Sequence, residues 1–160
     1  MIDGTDRTIL MMLQENGRVS NAEIARQVEM APSAVLERIR KLEERGVIKG
    51  YAAQLDPRAL GQALLAYVLV RTDCGSWQVE TATKIAAIPE VQEVHHIAGE
   101  DCFLVKVRTR DTAALGSLLR DRVSAIECVR STRTTIVLDT VKETTEVNLQ
   151  EAVGAKGVPS

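Results

Sequence analysis

The sequence predicts an α+β chain of two domains: three helices closed by a short β ribbon, then a ferredoxin-like βαββαβ domain built on a four-stranded antiparallel sheet. Three observations predict it. Helical stretches between residues 3 and 46 end at helix-stopping residues, the segment from Leu64 to Leu138 alternates strand and helix, and Pro57 and Gly61 punctuate the join. The boundaries read as 1–56 for the first domain, 57–63 for a linker, 64–142 for the second domain and 143–160 for a C-terminal extension with a frayed end.

In the first helix Ile9, Leu10 and Leu13 recur at helical spacing, Asp3 and Asp6 favour its positive N-terminal end, and Asn16-Gly17 stops it. Ser20 caps the second helix, with Glu23 completing a capping box, and Ile24, Ala25 and Val28 form its buried side. A tight connection through Glu29-Met30-Ala31 reaches Pro32, a residue suited to a first helical turn. The third helix buries Val35, Ile39 and Leu42 and ends at Gly46. Val47 to Tyr51 reads as one strand of a wing and Ala52 to Asp56 as part of its partner. Three helices and a ribbon in this order make a winged helix-turn-helix.

In the second domain Leu64 to Thr72 is an aliphatic strand. Ser76 caps a helix over Trp77 to Ala87 that turns Val79, Ala82, Ile85 and Ala86 inward. Val91 to Ala98 and Cys102 to Thr109 are strands joined by Gly99-Glu100-Asp101. Asp111 caps a helix burying Leu115, Leu118, Leu119 and Val123, and Val129 to Leu138 is the last strand. Two helices cover one sheet face only, yet Leu65, Tyr67 and Leu69 make the first strand apolar on the other face as well. The simplest second cover is the same sheet from another copy, which predicts a homodimer.

Composition narrows the function. Aromatic residues are 2% of the chain, which argues against base-stacking platforms for single-stranded nucleic acid. A net charge of −2 excludes a strongly basic, non-specific DNA binder, so DNA contact requires a local patch. Three scattered cysteines, no CxxC pair and no secretory signal read as reduced thiols in a cytoplasmic protein, and no apolar run is long enough for a bilayer. Arg40, Lys41, Arg45 and Lys49 supply the patch, diluted by Glu43 and Glu44. The N-terminal half of the third helix enters the major groove in helix-turn-helix docking, which selects Ser33, Ala34, Glu37, Arg38 and Lys41, with Lys49 beyond it, as residues that meet double-stranded DNA. A helix with mixed charges on its outer face also serves as an ordinary solvated surface.

The stretch from Ile2 to Asp56 resembles the Lrp/AsnC (feast/famine) winged helix through Asp6 with Ile9-Leu10, Gly17-Arg18, Glu23-Ile24-Ala25, Arg38-Ile39, Leu42-Glu43, Gly46-Val47-Ile48 and Gly50-Tyr51. The likeness continues through Gly61, Pro89-Glu90-Val91, Gly99-Glu100-Asp101 and Thr132-Arg133-Thr134, over residues 2 to 142. Ala31 stands where relatives place a capping Ser, and Glu127-Cys128 where they place Pro-Gly. The resemblance implies a transcriptional regulator, dimeric and assembling to tetramers or octamers. It also implies a small effector, often an amino acid, at Gly99, Glu100, Asp101 and Cys102, with Thr135 and Ile136 lining the same pocket. Relatives carry an acidic residue where this chain has Cys102, and a Gly-Glu-Asp turn is also ordinary hairpin composition.

No catalytic motif, metal-ligand set or cofactor fingerprint is present, so the chain reads as no enzyme and as needing no cofactor. His95 and His96 are adjacent on a strand and face opposite sides. Two further readings stand beside the regulator: a ligand-independent architectural DNA binder, and a relative of the siroheme decarboxylases, which resemble this family and use histidines of the α/β domain.

Overall fold

The computed structural model describes residues 2–73, 79–99 and 102–149. The expected caps of Ser76 and the turn residues Glu100 and Asp101 lie outside them. The chain divides into two compact units: residues 2–54 together with the described C-terminal residues 143–149, and residues 55–142.

The first unit holds α1 (Gly4–Glu15), α2 (Asn21–Gln27) and α3 (Pro32–Glu44). Asp3 caps α1 by accepting from the Asp6 N–H at 2.7 Å while Asp6 reaches back to the Asp3 N–H at 3.3 Å, so two orphan donors are satisfied reciprocally. Ser20 accepts from the Glu23 N–H at 3.2 Å. At α3 the capping position is Ala31, which makes no side-chain bond, and Pro32 occupies the first turn, where its missing N–H costs nothing. Glu29 turns the chain between α2 and α3 with a φ of 54°, a left-handed conformation unusual for a side-chain-bearing residue. Ile9, Ile24, Ala25, Val35 and Ile39 form the core.

The expected wing ribbon is not formed: residues 47 to 56 contain no strand. Val47 and Ile48 both donate to the Leu42 carbonyl, at 2.9 and 3.2 Å, folding the chain back on the end of α3. Ile48 then packs on the core, and the Tyr51 hydroxyl donates to Glu43 at 3.0 Å. Those two N–H donors are spent on α3 rather than on a ladder, and an isolated two-stranded ribbon is marginal in water.

The second unit holds β1 (Leu64–Thr72), α4 (Val79–Ala86), β2 (Val91–His96), β3 (Phe103–Thr109), α5 (Thr112–Leu118) and β4 (Val129–Ile136), in the predicted order. The sheet is antiparallel throughout, ordered β2-β3-β1-β4. Asp111 caps α5 through the Ala114 N–H at 2.7 Å, and Leu119–Val123 continue it as one wider π-helical turn. Ala66, Val68 and Val70 of β1 and Phe103, Val105 and Val107 of β3 face the helices and pack with Ile85, Ile88, Leu115, Leu118 and Val123. The inward side of α4 differs from expectation. Thr81, Ile85 and Ile88 are buried, whereas Val79 and Ala86 are exposed, so the buried stripe is rotated from the expected one.

Register places the remaining side chains on the outer face. Side chains of directly paired residues share a face, so His95, Leu104, Leu69 and Arg133 form one row across the four strands, and Glu93, Lys106, Tyr67 and Thr135 form the next. On this face β1 carries Leu65, Tyr67 and Leu69, while β3 carries Leu104 beside Lys106 and Arg108. Apolar residues at the ends of this unit are strongly exposed: Leu138 at 97%, Val141 at 96%, Leu55 at 68% and Leu60 at 63%.

Candidate nucleic-acid interface and effector cleft

α3 presents Ser33, Glu37, Lys41 and, just past its end, Lys49 to solvent, with Ala34 half-buried beside them. Lys41 Nζ sits 3.3 Å from Glu37 one turn earlier, both side chains more than half exposed. An exposed pair of this kind contributes little to stability and leaves the lysine able to exchange its carboxylate for a phosphate. Arg40 and Arg45 are exposed on the same helix, so from Glu37 to Lys49 five cations face three carboxylates.

Arg38 differs from its neighbours. Its Nη1 donates to Asp3 at 2.7 Å and to Asp6 at 2.8 Å, binding α3 to the N-terminus of α1. Asp6 is 7% exposed, so its charge requires this partner. The Asp6 backbone N–H first, and the Arg38 guanidinium second, hold the Asp3 carboxyl below the usual aspartate value. The same two carboxylates push the Arg38 pKa upward. The sequence shows no local sign of this clamp, because its partners lie 35 and 32 positions away.

The described members of the expected effector set, Gly99, Cys102, Thr135 and Ile136, do not line one cleft. Gly99, with φ at 128°, lines a cleft of about 480 Å³ with Leu69, Arg71, Ile97, Ala98, Ser131 and Arg133. Cys102 turns elsewhere: its N–H donates to the Val70 carbonyl at 2.9 Å, its sulfur receives the Thr72 hydroxyl at 3.1 Å, and it packs against the core. Thr135 pairs with Tyr67 on the outer face, and Ile136 pairs with Ala66 on the helix-facing side. Reading the residues in sequence missed Arg71, Ser131 and Arg133. Their signal was alternation, since Arg71 follows Leu69, and Arg133 follows Ser131, at a spacing of two, but only the β1–β4 register brings the strands together.

Among the described residues no group of three metal-ligating side chains assembles, and no helix is long and apolar enough to cross a membrane. His95 is on the outer face beside Glu93 at 3.1 Å, and His96 is on the other face with its ring centroid 5.5 Å from that of Phe103. Hydrogen bonds to His95 first and Lys106 second lower the Glu93 pKa. Cys102 is a free thiol.

Residues 2–49 match a family model described as winged helix-turn-helix DNA-binding, and residues 65–147 one described as the Lrp/AsnC ligand binding domain. The chain is 40% identical over 149 residues to the HTH-type transcriptional regulator FL11 of Pyrococcus horikoshii, covering 93% of this chain and 97% of the relative. It is 37% identical over 144 residues to the leucine-responsive regulatory protein of Escherichia coli K12, covering 89% and 88%. Among solved structures, a transcriptional regulator from Neisseria meningitidis in complex with L-methionine superposes with a TM-score of 0.86 at 30% identity, covering 94% of this chain and 98% of that one. The AsnC protein of E. coli superposes at 0.85 with 28% identity, covering 91% and 98%.

Proposed function

The chain belongs to the Lrp/AsnC family of transcriptional regulators, and from that premise we propose that α3 reads double-stranded DNA while the cleft beside Gly99 takes an amino acid or related small metabolite. The observation that carries the first half is the outward set Ser33, Glu37 and Lys41 on the exposed N-terminal half of α3, with Ala34 at its edge and Lys49 beyond. A small residue at Ala34 lets the helix approach a thymine methyl, Glu37 can accept from cytosine, and the lysines can reach phosphates or guanine edges. Arg38 is a positioning residue in this reading, because its guanidinium fixes the angle between α3 and α1.

The effector half is supported by chemistry at the cleft. A carboxylate suits two guanidinium groups, and the glycine allows close approach of backbone to ligand. Gly99 remains the anchor of the site expected from sequence; Arg71, Ser131 and Arg133 join it, and Cys102 and Ile136 leave it. Glu100 and Asp101 remain candidates for the ligand's ammonium group.

The active form is a homodimer closed through the outer sheet faces and assembling further to tetramers or octamers. The apolar Leu65, Tyr67, Leu69 and Leu104 on that face and the exposed Leu138 and Val141 support a second copy as its cover. Paired heads then meet successive half-sites, and linkage of weak contacts raises their effective concentration. The regulator works in the cytoplasm, where its DNA is, and carries no enzymatic activity of its own. A gel shift on the chain's own upstream intergenic DNA, with L-methionine and the other free amino acids in turn, tests both halves. A specific shift altered by one amino acid supports the proposal; a shift indifferent to all of them removes the effector, and no specific shift removes the DNA half.

A further inference from the structure

Resting on the reading of the Gly99 cleft as the effector site, we propose that its ligand is a short dicarboxylate: an acidic amino acid or the corresponding 2-oxo acid. The cleft has two kinds of wall. Leu69, Ile97 and Ala98 are apolar, and the polar side chains are those of Arg71, Ser131 and Arg133. Among the described lining residues there is no carboxylate.

Strand register fixes how the two arginines stand. Arg71 of β1 is opposite Ser131 of β4, and Leu69 is opposite Arg133. The arginines are therefore diagonal neighbours on one face of adjacent strands, about 7–8 Å apart in ordinary sheet geometry. Each guanidinium presents a planar fork that matches one carboxylate. Two forks at that separation match two carboxylates joined by a short carbon chain, whose methylenes then lie against Leu69, Ile97 and Ala98. The cleft volume of about 480 Å³ is within the range of small-molecule sites.

The described carboxylates nearby are committed to other groups. Glu93, on β2 of the same sheet face, accepts from Lys106 at 3.0 Å and lies 3.1 Å from His95. Asp73, just past the end of β1, pairs with Arg130. A neutral aliphatic ligand would give its carboxylate to one guanidinium and lay its side chain against the other, drawing that cation out of water without an anion. A second ligand carboxylate removes that cost. Inorganic phosphate would suit the guanidinium groups but leave the apolar wall uncovered, so the dicarboxylate alone uses the whole lining.

The test is isothermal titration calorimetry on the full chain with L-glutamate, L-aspartate and 2-oxoglutarate, against L-glutamine, L-asparagine, L-methionine, L-leucine and inorganic phosphate. The two amides keep the shape of the acids and remove one charge. One of the three acids should bind about ten- to a hundred-fold more tightly than any amide, other neutral amino acid or phosphate. In Arg71→Gln and in Arg133→Gln that preference should shrink to about three-fold or less. Both side chains are exposed on the sheet, so either variant reads the preference should the other lower the melting temperature. A neutral amino acid bound as tightly as the best acid overturns the dicarboxylate and leaves the effector reading standing. Phosphate bound as tightly marks a site for any oxyanion and overturns it equally. An acid preference that survives undiminished in a folded variant overturns the two-arginine cleft. Binding of none of these ligands removes the dicarboxylate and the amino-acid effector together.

Discussion

The two units of this chain are held together by different means. The α/β unit buries a continuous aliphatic layer between sheet and helices, with Ala66, Val68, Val70, Val105 and Val107 each at most 1% exposed. The first unit buries Ile9, Leu10, Ile24, Ala25, Val35, Ile39 and Leu42 and adds polar fastenings: the Asp3–Asp6 capping box, the Arg38 clamp and the Gln14 amide bonded to both backbone groups of Val147. A small unit cannot remove enough apolar surface from water to fix three helices by burial alone. Directional and charged bonds set the helix angles instead, and these angles decide which side chains α3 presents.

The sharpest way to break that contrast is to cut both cores. Ile85→Ala leaves a cavity beneath the sheet and should cost about 2–5 kcal/mol, read as a lower urea midpoint for the whole α/β unit. Ile9→Ala should cost a similar amount but melt the first unit alone, giving two transitions in place of one.

Next comes the clamp. Arg38→Ala removes two charge-assisted bonds and strands the buried Asp6, which should destabilise the first unit by about 2 kcal/mol in thermal unfolding. Both bonds leave from one nitrogen, so Arg38→Lys should recover part of the loss. Core mutations elsewhere have no such conservative rescue.

Much of the architecture was legible from residues alone, and the reasons are local. The caps at Ser20 and Asp111, the αL glycine at Gly46 and the uncapped Ala31 act over one helical turn, so the sequence displays them. The wing was misread because Val47, Ile48 and Tyr51 carry strand composition, while the competing acceptor, the Leu42 carbonyl, is invisible to composition. The site was only half legible for a similar reason. Gly99 announces a turn, but Arg71 and Arg133 meet through strand register, and Arg38 and Gln14 are claimed by partners from distant segments.

Acid should affect the clamp in a defined direction. The Asp3 carboxyl is depressed below its ordinary 3.8 in the folded chain. A depressed carboxylate contributes stability that is whole above the unfolded value and is lost as pH falls through the folded one, so the loss begins near about pH 4 and deepens below it. Asp3→Asn keeps a capping oxygen but loses the charge, and its thermal stability should fall less steeply with acid than that of wild type.

The smallest effect belongs to the turn. Glu29 holds a φ of 54°, which glycine adopts without strain, so Glu29→Gly should raise the melting temperature of the first unit by an amount worth about 1 kcal/mol or less.

The most direct measurement of the central claim is a fluorescence-anisotropy titration of the upstream intergenic duplex across a salt series, comparing wild type with Lys41→Ala. If α3 reads DNA with its outer face, Lys41→Ala binds more weakly and its logarithmic salt slope is shallower by about 1, with melting temperature unchanged. An affinity and slope equal to those of wild type would contradict the docking of α3 and place the DNA contact elsewhere on the first unit.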